Sequence, residues 1–540
     1  MIINRKDMKN LIKYILLGLS IIMVASCNED ELLNKYPLDS ANEGNYFIGA
    51  ASARGAVAAA FKPMNSDAWF YKRYFVTWTD NMTSDGYSRL NNAWRIQLVE
   101  WTFNETHYGF YDWYRGFFRV INNANFAIEG IPRSSDPTFT EEQQAMYIGA
   151  AKLLKGFAYL SLTTLWGDVP YFPNFVSNPD EATKARDPKD VVMRGVIEDL
   201  TYARDHLPTE WDDVGKGLPT KAAAAGLLAK AYLYNKDYTN AVTAAREALD
   251  IADASGYTLM NDYVYMMSQQ SQDDGANTEF IFTINFLKDD DANGNINEMS
   301  VERGVRDAPG PVKDIYGAGW GYALPSRDLY ESFEPGDPRR GYSIWAPGDF
   351  YGIYNGPAVV DNEVSYNPGD SIFYQENWSP TNMNTRKLWS AWTGQLRDQT
   401  NGYDIPLLRY ADLVLYYAEA LIENGQVAEG MNQINVVRAR PSVNMPPLTA
   451  TDQADARAKL RHERRVELNF EGIRLFDLIR WGALEETFGS GLNAVPILVK
   501  LGDDNLLKNQ NLSFPKNNLF PIPLEELNTN PEAKQNIGYN

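Results

Sequence analysis

The densest group of residues suited to acid–base chemistry lies at 461–482, R-H-E-R-R-V-E-L-N-F-E-G-I-R-L-F-D-L-I-R-W-G. Glu463, Glu467 and Glu471 recur every four residues, which predicts that they share one helical face. Paired carboxyl groups can hydrolyse glycosides when one of them keeps a high pKa. Here arginines stand close to the acids, and a neighbouring guanidinium lowers a carboxyl pKa. The pattern therefore favours a structural ion-pair network over catalysis. The i, i+3 spacing predicts two of its pairs, Glu471–Arg474 and Asp477–Arg480.

A second kind of chemistry is the recognition of sugar rings by aromatic side chains. The apolar faces of sugars stack on aromatic rings, while amide, acid and guanidinium groups hydrogen-bond the hydroxyls. The chain has 13 Trp and 32 Tyr, and tryptophans are frequent in segments rich in Asn, Asp, Gly and Pro. The candidate ligand-binding residues are Trp78, Tyr87, Asn91, Trp94, Arg95, Trp320, Tyr322 and Trp345.

Trp94 and Trp320 rank first among these residues because their neighbours are polar or glycine. Gly319 and Gly321 are expected to leave the adjacent rings accessible to a ligand. For each aromatic residue the alternative is packing within a loop. Further candidates are Trp378, Trp389 and Trp392, whereas Trp113, Trp166 and Trp481 sit in helical motifs and are expected to pack in the core.

An acidic loop, D-D-D-A-N-G-N-I-N-E-M-S, spans 289–300. Asp289, Asp291 and Asn293 match the beginning of an EF-hand calcium loop. Position 12 of such a loop requires a bidentate glutamate, but Ser300 stands there. Two interpretations stay open, a calcium site and an ordinary solvated acidic loop. No other cofactor is expected.

The single cysteine of the chain, Cys27, follows an apolar run from Ile15 to Ala25 and a basic start at residues 5–13. This layout is typical of a secretory signal, and the run is too short to cross a membrane. Val-Ala-Ser before the cysteine resembles the bacterial lipobox, in which the cysteine is lipidated. Residues 1–26 are therefore predicted to be a lipoprotein signal peptide, and 27–43 a lipidated tether. One cysteine also excludes an internal disulfide.

Composition narrows the possible partners of the protein. The 540 residues carry a formal net charge of −20. Such an acidic chain repels nucleic acid, so no nucleic-acid partner is expected. Only three histidines occur, which leaves little room for a histidine-based metal site or a serine triad.

The elements that must position these residues are mainly helices. In L-A-K-A-Y-L-Y-N-K-D-Y-T-N-A-V-T-A-A-R-E-A-L-D (228–250), small and apolar residues are spaced as in a tetratricopeptide repeat, with a turn at 235–237. A weaker copy occupies 415–438, with its turn at Asn424-Gly425. Residues 113–128 and 145–165 also show apolar helical stripes. The fold class is predicted to be mostly α: a scaffold of tetratricopeptide-like helical pairs with long, aromatic-rich loop insertions and short β-hairpins.

The chain as a whole resembles the SusD/RagB family of nutrient-binding outer-membrane lipoproteins. The resemblance rests on the 461–482 stretch, D-W-Y-R-G-F-F-R-V-I-N-N-A-N, L-T-T-L-W-G-D-V-P and the closing N-L-F-P-I-P-L-E-E-L with Q-N-I-G-Y. It implies one domain over 44–540. The helical scaffold is expected at about 44–60, 111–255 and 405–482, and the loop-rich ligand face at about 61–110 and 257–400.

The resemblance also implies a function. Such a protein, lipid-anchored in the outer membrane and facing the cell exterior, captures an oligosaccharide. It delivers this nutrient to a SusC-like TonB-dependent transporter, which it caps as a lid. It is not expected to be an enzyme. Two alternatives remain at this stage, an oligopeptide-binding member of the same family and a surface glycoside hydrolase.

Overall fold

The structure is a computed structural model that describes residues 46–67, 70–89, 92–287, 297–316, 319–388, 402–488, 497–501, 504–508 and 512–539. Within these residues it contains 20 α-helices and six two-stranded antiparallel sheets. The predicted fold class, mostly α with short strands, is confirmed. Among the described helices none has both the length and the apolar character needed to cross a membrane.

The helices are divided between long scaffold helices and short ones in the intervening segments. The long helices are α1 (Ala50–Ser66), α4 (Tyr108–Gly130), α5 (Glu141–Trp166), α6 (Lys189–His206), α7 (Lys221–Tyr234), α8 (Tyr238–Ala254), α15 (Tyr410–Glu423), α16 (Val427–Arg438) and α17 (Gln453–Glu467). The short helices are α2 (Tyr74–Asn81), α3 (Ala93–Glu100), α9 (Tyr263–Met266), α10 (Gln269–Asp273), α11 (Met299–Arg303), α12 (Gly310–Tyr316), α13 (Arg327–Ser332), α14 (Arg339–Ser343), α18 (Arg474–Trp481), α19 (Leu484–Phe488) and α20 (Leu524–Thr529).

The scaffold is a row of packed helices. Helix α4 packs on α1 and α5, α5 on α6, α6 on α7, α7 on α8, and α8 on α15, which in turn packs on α16 and α17. Small residues permit the close approach, since a Cβ at Gly430 would lie 2.5 Å from Ile422 Cγ1. Both repeat turns are where the sequence predicts them: Lys236 (φ 60°) and Gly425 (φ 81°) adopt the left-handed conformation that ends each first helix.

The strands are β1 (Gly86–Tyr87), β2 (Phe280–Ile284), β3 (Leu324–Pro325), β4 (Ile344–Trp345), β5 (Phe350–Ile353), β6 (Val359–Asp361), β7 (Val364–Tyr366), β8 (Ser371–Phe373), β9 (Asn384–Thr385), β10 (Ile405–Arg409), β11 (Ile497–Leu501) and β12 (Asp504–Lys508). Their pairs are β1–β3, β2–β10, β4–β9, β5–β8, β6–β7 and β11–β12. Strand β2 therefore pairs far along the chain rather than in a local hairpin. Four of its five residues are buried, so its sequence lacks the alternation of a half-exposed strand.

The segment 61–110, expected to be loop-rich, contains α2 and α3 in addition to the end of α1. Every residue of α2 is buried, because this helix lies within the main hydrophobic core. The segment that holds the candidate tryptophans is thus anchored to the scaffold rather than lying loosely over it.

The signature stretch 461–482 is two helices, and the predicted continuous face is wrong. Helix α17 ends at Glu467, and Phe470 (φ 56°) and Gly472 (φ 74°) then turn the chain before α18 begins. The predicted Glu471–Arg474 pair is absent from the described contacts. Glu471 instead bonds Arg409 Nε at 2.8 Å, while Arg474 faces Asp85.

The predicted ion-pair network is present, and the structure shows that it is buried. Glu467 accepts hydrogen bonds from Arg339, Arg409 and Arg440 at 3.0, 2.8 and 3.0 Å. Burial alone would raise the pKa of Glu467, but these arginines hold it well below its ordinary value. The predicted Asp477–Arg480 pair is formed at 2.7 Å. A carboxylate held ionised in this way is unsuited to act as a general acid.

Candidate functional site

Five of the eight candidate ligand-binding residues come together from three separate segments. Helix α2 contributes Trp78, α3 contributes Trp94 and Arg95, and the segment between α12 and β3 contributes Trp320 and Tyr322. The rings of Trp78 and Trp94 are 4.9 Å apart, those of Trp78 and Tyr322 6.3 Å, and those of Trp320 and Tyr322 5.8 Å. We call this group, with Arg73, Tyr74 and Tyr108, the aromatic site.

Local backbone contacts hold each segment of the aromatic site. Asn92 caps α3 by accepting a hydrogen bond from the Trp94 N–H at 3.3 Å. A ring nitrogen of His107 lies 2.9 Å from the Trp94 carbonyl oxygen, which ties α3 to the start of α4. The backbone N–H of Trp320 donates to the carbonyl of Val301 at 2.7 Å, on α11. These contacts fix the two leading tryptophans on rigid elements.

The glycines around Trp320 serve backbone packing. A Cβ at Gly319 would lie 2.1 Å from the carbonyl carbon of Gly304. Two backbone segments of the chain therefore cross there with no room for a side chain. Gly321 has a φ of 64°, which favours glycine. Sequence reasoning expected these glycines to expose the adjacent rings. Trp320 is half-buried, but Tyr322 is buried, because its ring lies under the Arg95 guanidinium.

Two guanidinium groups stack on the rings of the aromatic site. Arg95 lies 3.7 Å from the centroid of Tyr322 and 4.9 Å from that of Trp94. Arg73, which sequence reasoning missed, lies 4.1 Å from Trp320 and 4.5 Å from Tyr74. Such cation–π contacts orient the planar guanidinium against the ring. The arginine in Y-K-R-Y-F, flanked by aromatic residues, was the available signal for Arg73.

A buried carboxyl group, Glu302 on α11, lies beneath the two arginines. Its Oε1 is 3.9 Å from Arg73 Nε. Burial raises the pKa of Glu302 to about 8, against the opposing effects of Arg73 and Arg95. Burial likewise raises the pKa of Tyr74 to about 12, with Glu302 adding to the effect. Because Glu302 is fully buried, it cannot deliver a proton to a ligand at the surface of the site.

The exposure of the site is uneven. Trp94, Trp320, Tyr108 and Arg73 are half-buried, so they can present a face to a ligand. Trp78 is fully buried, contrary to the expected loop exposure, because α2 is inserted in the core. It supports the site from below, as the 4.9 Å contact with Trp94 shows.

The remaining candidates lie elsewhere or outside the described residues. Tyr87 is buried on β1, where it pairs with Leu324, two residues from Tyr322. Trp345 belongs to a separate apolar cluster with Trp378, and its ring packs on Tyr351 at 4.8 Å. Since Trp345 is only 3% exposed, it presents no face to a ligand. The residues that lie outside the described part of the chain, and so stay predictions, are Cys27, Asn91, Asp289, Asp291, Asn293, Trp389 and Trp392.

Comparison with known proteins identifies the family. The model of the SusD family matches residues 278–539, and a second model, described as starch-binding associating with outer membrane, matches 56–233. The chain belongs to the SusD/RagB family. Among the similar curated SusD relatives, SusD-like protein P2 of Formosa agariphila is 28% identical over 420 residues, which cover 73% of this chain and 78% of that protein.

Solved SusD structures share the fold. A SusD homologue from Bacteroides thetaiotaomicron has a TM-score of 0.75 at 23% identity, covering 92% of this chain and 98% of the homologue. Surface glycan-binding protein A from the same organism, solved in complex with laminarihexaose, has a TM-score of 0.68 at 20% identity over 90% and 98% of the two chains. At this identity the likeness concerns the fold.

Proposed function

We propose that this SusD-family protein binds an oligosaccharide at the aromatic site. The observation that carries the proposal is the convergence of Trp94 and Trp320, from segments far apart in the sequence, into one half-buried aromatic group with Arg73 and Arg95 stacked on its rings. Half-buried rings offer stacking faces for sugars, and the half-buried guanidinium group of Arg73 supplies hydrogen-bond donors for hydroxyls. The laminarihexaose complex of a protein with the same fold supports a carbohydrate as the ligand class.

The proposed cellular role is delivery of the captured glycan, without catalysis, to a SusC-like TonB-dependent transporter. In this proposal the protein is anchored to the outer membrane through lipidated Cys27 and faces the cell exterior. The family description, starch-binding associating with outer membrane, supports this location. A tagged full-length chain, extracted in mild detergent, should co-purify with a large barrel protein. Recovery of the chain alone would contradict the partnership.

Titration calorimetry tests the ligand proposal. The full-length chain is titrated with an oligosaccharide panel that includes laminarihexaose, and with mixed oligopeptides. We expect heat with at least one oligosaccharide, and affinity reduced by about tenfold or more in Trp94→Ala and in Trp320→Ala. The matched control is Trp211→Ala, a half-buried scaffold tryptophan that packs on Tyr147 at 5.0 Å. Its loss should leave affinity unchanged.

The outcomes separate the candidate functions. Binding of peptides alone would replace the carbohydrate with an oligopeptide ligand. Release of shorter sugars during incubation would show a hydrolase and contradict the proposal of a pure binding protein. If Trp94→Ala, Trp320→Ala and Trp211→Ala all bind the ligand with the affinity of the native chain, the ligand does not bind at the aromatic site.

A further inference from the structure

A second cleft opens along residues 111–122 of α4, and it shares no lining residue with the aromatic site. Its volume is about 440 Å3, within the range of small-ligand sites. Three elements form it: α4, the segment 170–182 and α20. We call it the α4–α20 cleft. Its side chains include Tyr111, Tyr114, Phe118, Phe172, Glu525 and Glu526.

The walls of the α4–α20 cleft are held in place before any ligand binds. Asn122 on α4 and Val176 exchange two hydrogen bonds, of 2.9 and 3.1 Å. Asn125 donates to the carbonyl oxygens of Phe172 and Asn174 at 2.9 and 2.8 Å. On the other side, Asn530 donates to the carbonyl oxygen of Lys184 at 2.8 Å, which ties the end of α20 to the chain just after the segment 170–182. A pre-formed cleft does not have to be ordered by its ligand.

One buried polar group in the α4–α20 cleft is unsatisfied. Tyr114 is 3% exposed, and its hydroxyl has no hydrogen-bond partner among the described residues. Burial, and then the charge of Glu526, raises the pKa of Tyr114, so the hydroxyl stays protonated and can both donate and accept. A buried hydroxyl without a partner costs free energy. A ligand with a hydroxyl group would satisfy it.

The cations beside the α4–α20 cleft do not favour an anionic ligand, since Arg115 is paired with Asp112 at 2.7 Å and Lys184 with Asp187 at 2.8 Å. Anions would meet the carboxylates of Glu525 and Glu526. Cations would meet two cations of the protein that already lie over its aromatic rings, Arg115 at 5.1 Å from Tyr111 and Lys184 at 5.9 Å from Phe172. A purely apolar ligand would leave the Tyr114 hydroxyl without a partner.

We propose that the α4–α20 cleft is a second carbohydrate site, for a neutral ligand of about one or two sugar rings. Ring faces of the sugar would stack on the half-buried Tyr111 and Phe118, and its hydroxyls would bond Tyr114 and the carboxylate of Glu526. The proposal rests on the lining of this cleft and does not depend on what the aromatic site binds.

The test is performed on the full-length chain in a zwitterionic detergent without a sugar head group. The probes are glucose, galactose, mannose and xylose and their disaccharides, titrated by NMR saturation transfer into the Trp320→Ala variant, which silences the aromatic site. We expect at least one probe to bind. Tyr111→Ala in that background should weaken binding about tenfold, and Tyr114→Phe, which removes only the hydroxyl, about fivefold.

Three outcomes would overturn the proposal. Either no probe binds, or binding is the same in Tyr114→Phe, which retains the ring and its packing against Phe118 at 4.8 Å. Binding of a lysine- or arginine-containing tripeptide in place of the sugars, lost in Tyr111→Ala, would replace the carbohydrate with a cationic ligand. Because Trp320 is replaced throughout, failure of ligand binding at the aromatic site would leave these results unaffected.

Discussion

The arginines of the buried ion-pair network and those of the aromatic site face different partners. In the network, Arg409 bonds Glu279, Glu467 and Glu471, all at 2.8 Å, and both it and the acids are almost fully buried. In the aromatic site, Arg73 is half-buried and stacks on Trp320 and Tyr74, with Glu298 at 3.0 Å as its ion-pair partner.

This difference separates a structural region of the chain from the proposed binding region. The arginines of the network donate hydrogen bonds to carboxylates that are shielded from solvent. Removing one of these arginines should therefore lower the stability of the fold. Arg73 of the aromatic site lies against the half-buried ring of Trp320, so its removal should cost ligand affinity more than stability. The signature stretch of the sequence therefore marks the part that holds the protein together, whereas the proposed ligand site lies about 140 residues or more before it.

The largest expected effect is on the network side. Glu467→Gln removes the charge that faces Arg339, Arg409 and Arg440 but preserves the shape of the side chain. Since three buried guanidinium groups lose their shared carboxylate, we expect a loss of about 3–5 kcal/mol in the free energy of unfolding. Urea denaturation of the full-length chain measures it. A loss below about 1 kcal/mol would show that the network is not essential to stability.

The second expected effect is a pH dependence of folding stability that arises from the buried carboxyl group of Glu302. Its pKa is about 8 in the folded protein against an ordinary 4.5, so between these values the folded state holds a proton that the unfolded state has released. Stability should therefore fall as the pH rises from about 5 to 8. Glu302→Gln removes this contribution, so the variant should gain stability relative to the native protein across that window.

Denaturation of both proteins at pH 5, 6.5 and 8 checks the Glu302 prediction. Glu302→Asp, which retains a carboxyl group at the position, serves as the control and should retain the slope. A stability difference between Glu302→Gln and the native protein that is constant with pH would contradict the prediction.

The third effect concerns the backbone crossing that positions Trp320. Gly319→Ala places a Cβ 2.1 Å from Gly304, so the crossing must open. We expect a loss of about 1–3 kcal/mol in stability and weaker ligand binding, because Trp320 moves with the backbone. The control is Gly341→Ala, whose Cβ meets nothing within 4 Å. Similar melting temperatures for the two variants would argue against a tight crossing.

The fourth effect tests stacking in the aromatic site. Arg73→Met should weaken ligand binding by about 1 kcal/mol, about fivefold, with a smaller change in unfolding free energy. Arg73→Lys retains the charge but not the planar group, so it should not restore affinity. Calorimetry with a ligand that the native chain binds measures both variants. Full recovery in Arg73→Lys would assign the effect to charge alone.

The scaffold was predictable from the sequence because its information is local. Apolar residues at helical spacing, small residues at the contacts and Gly425 at a turn together specify a helical pair without reference to distant residues. The break after Glu467 was missed since four-residue spacing of acids continues through it, although Gly472 signals the turn. Periodicity alone does not show where a helix stops.

The aromatic site was only partly predictable, because burial depends on residues that are distant in sequence. Residue type drew attention to Trp94, Trp320 and their neighbours, which the structure brings together. Nothing local indicated that Trp78 lies on a fully buried helix or that Trp345 packs in a separate cluster. Glu302 was not assigned to the aromatic site for the same reason, since its position there comes from the tertiary contact between α2 and α11.

The smallest expected effect comes from removing an arginine that belongs to neither region. Arg194 on α6 pairs with Asp190 at 3.0 Å, but both side chains are mostly exposed, at 64% and 72%. Solvent screens such a pair, and ordering two mobile side chains offsets its attraction. Arg194→Ala should therefore cost about 0.5 kcal/mol or less in urea denaturation and leave ligand affinity unchanged. A loss as large as that of Glu467→Gln would mean that stability follows total charge rather than burial, and the contrast between the two arginine-rich regions would no longer hold.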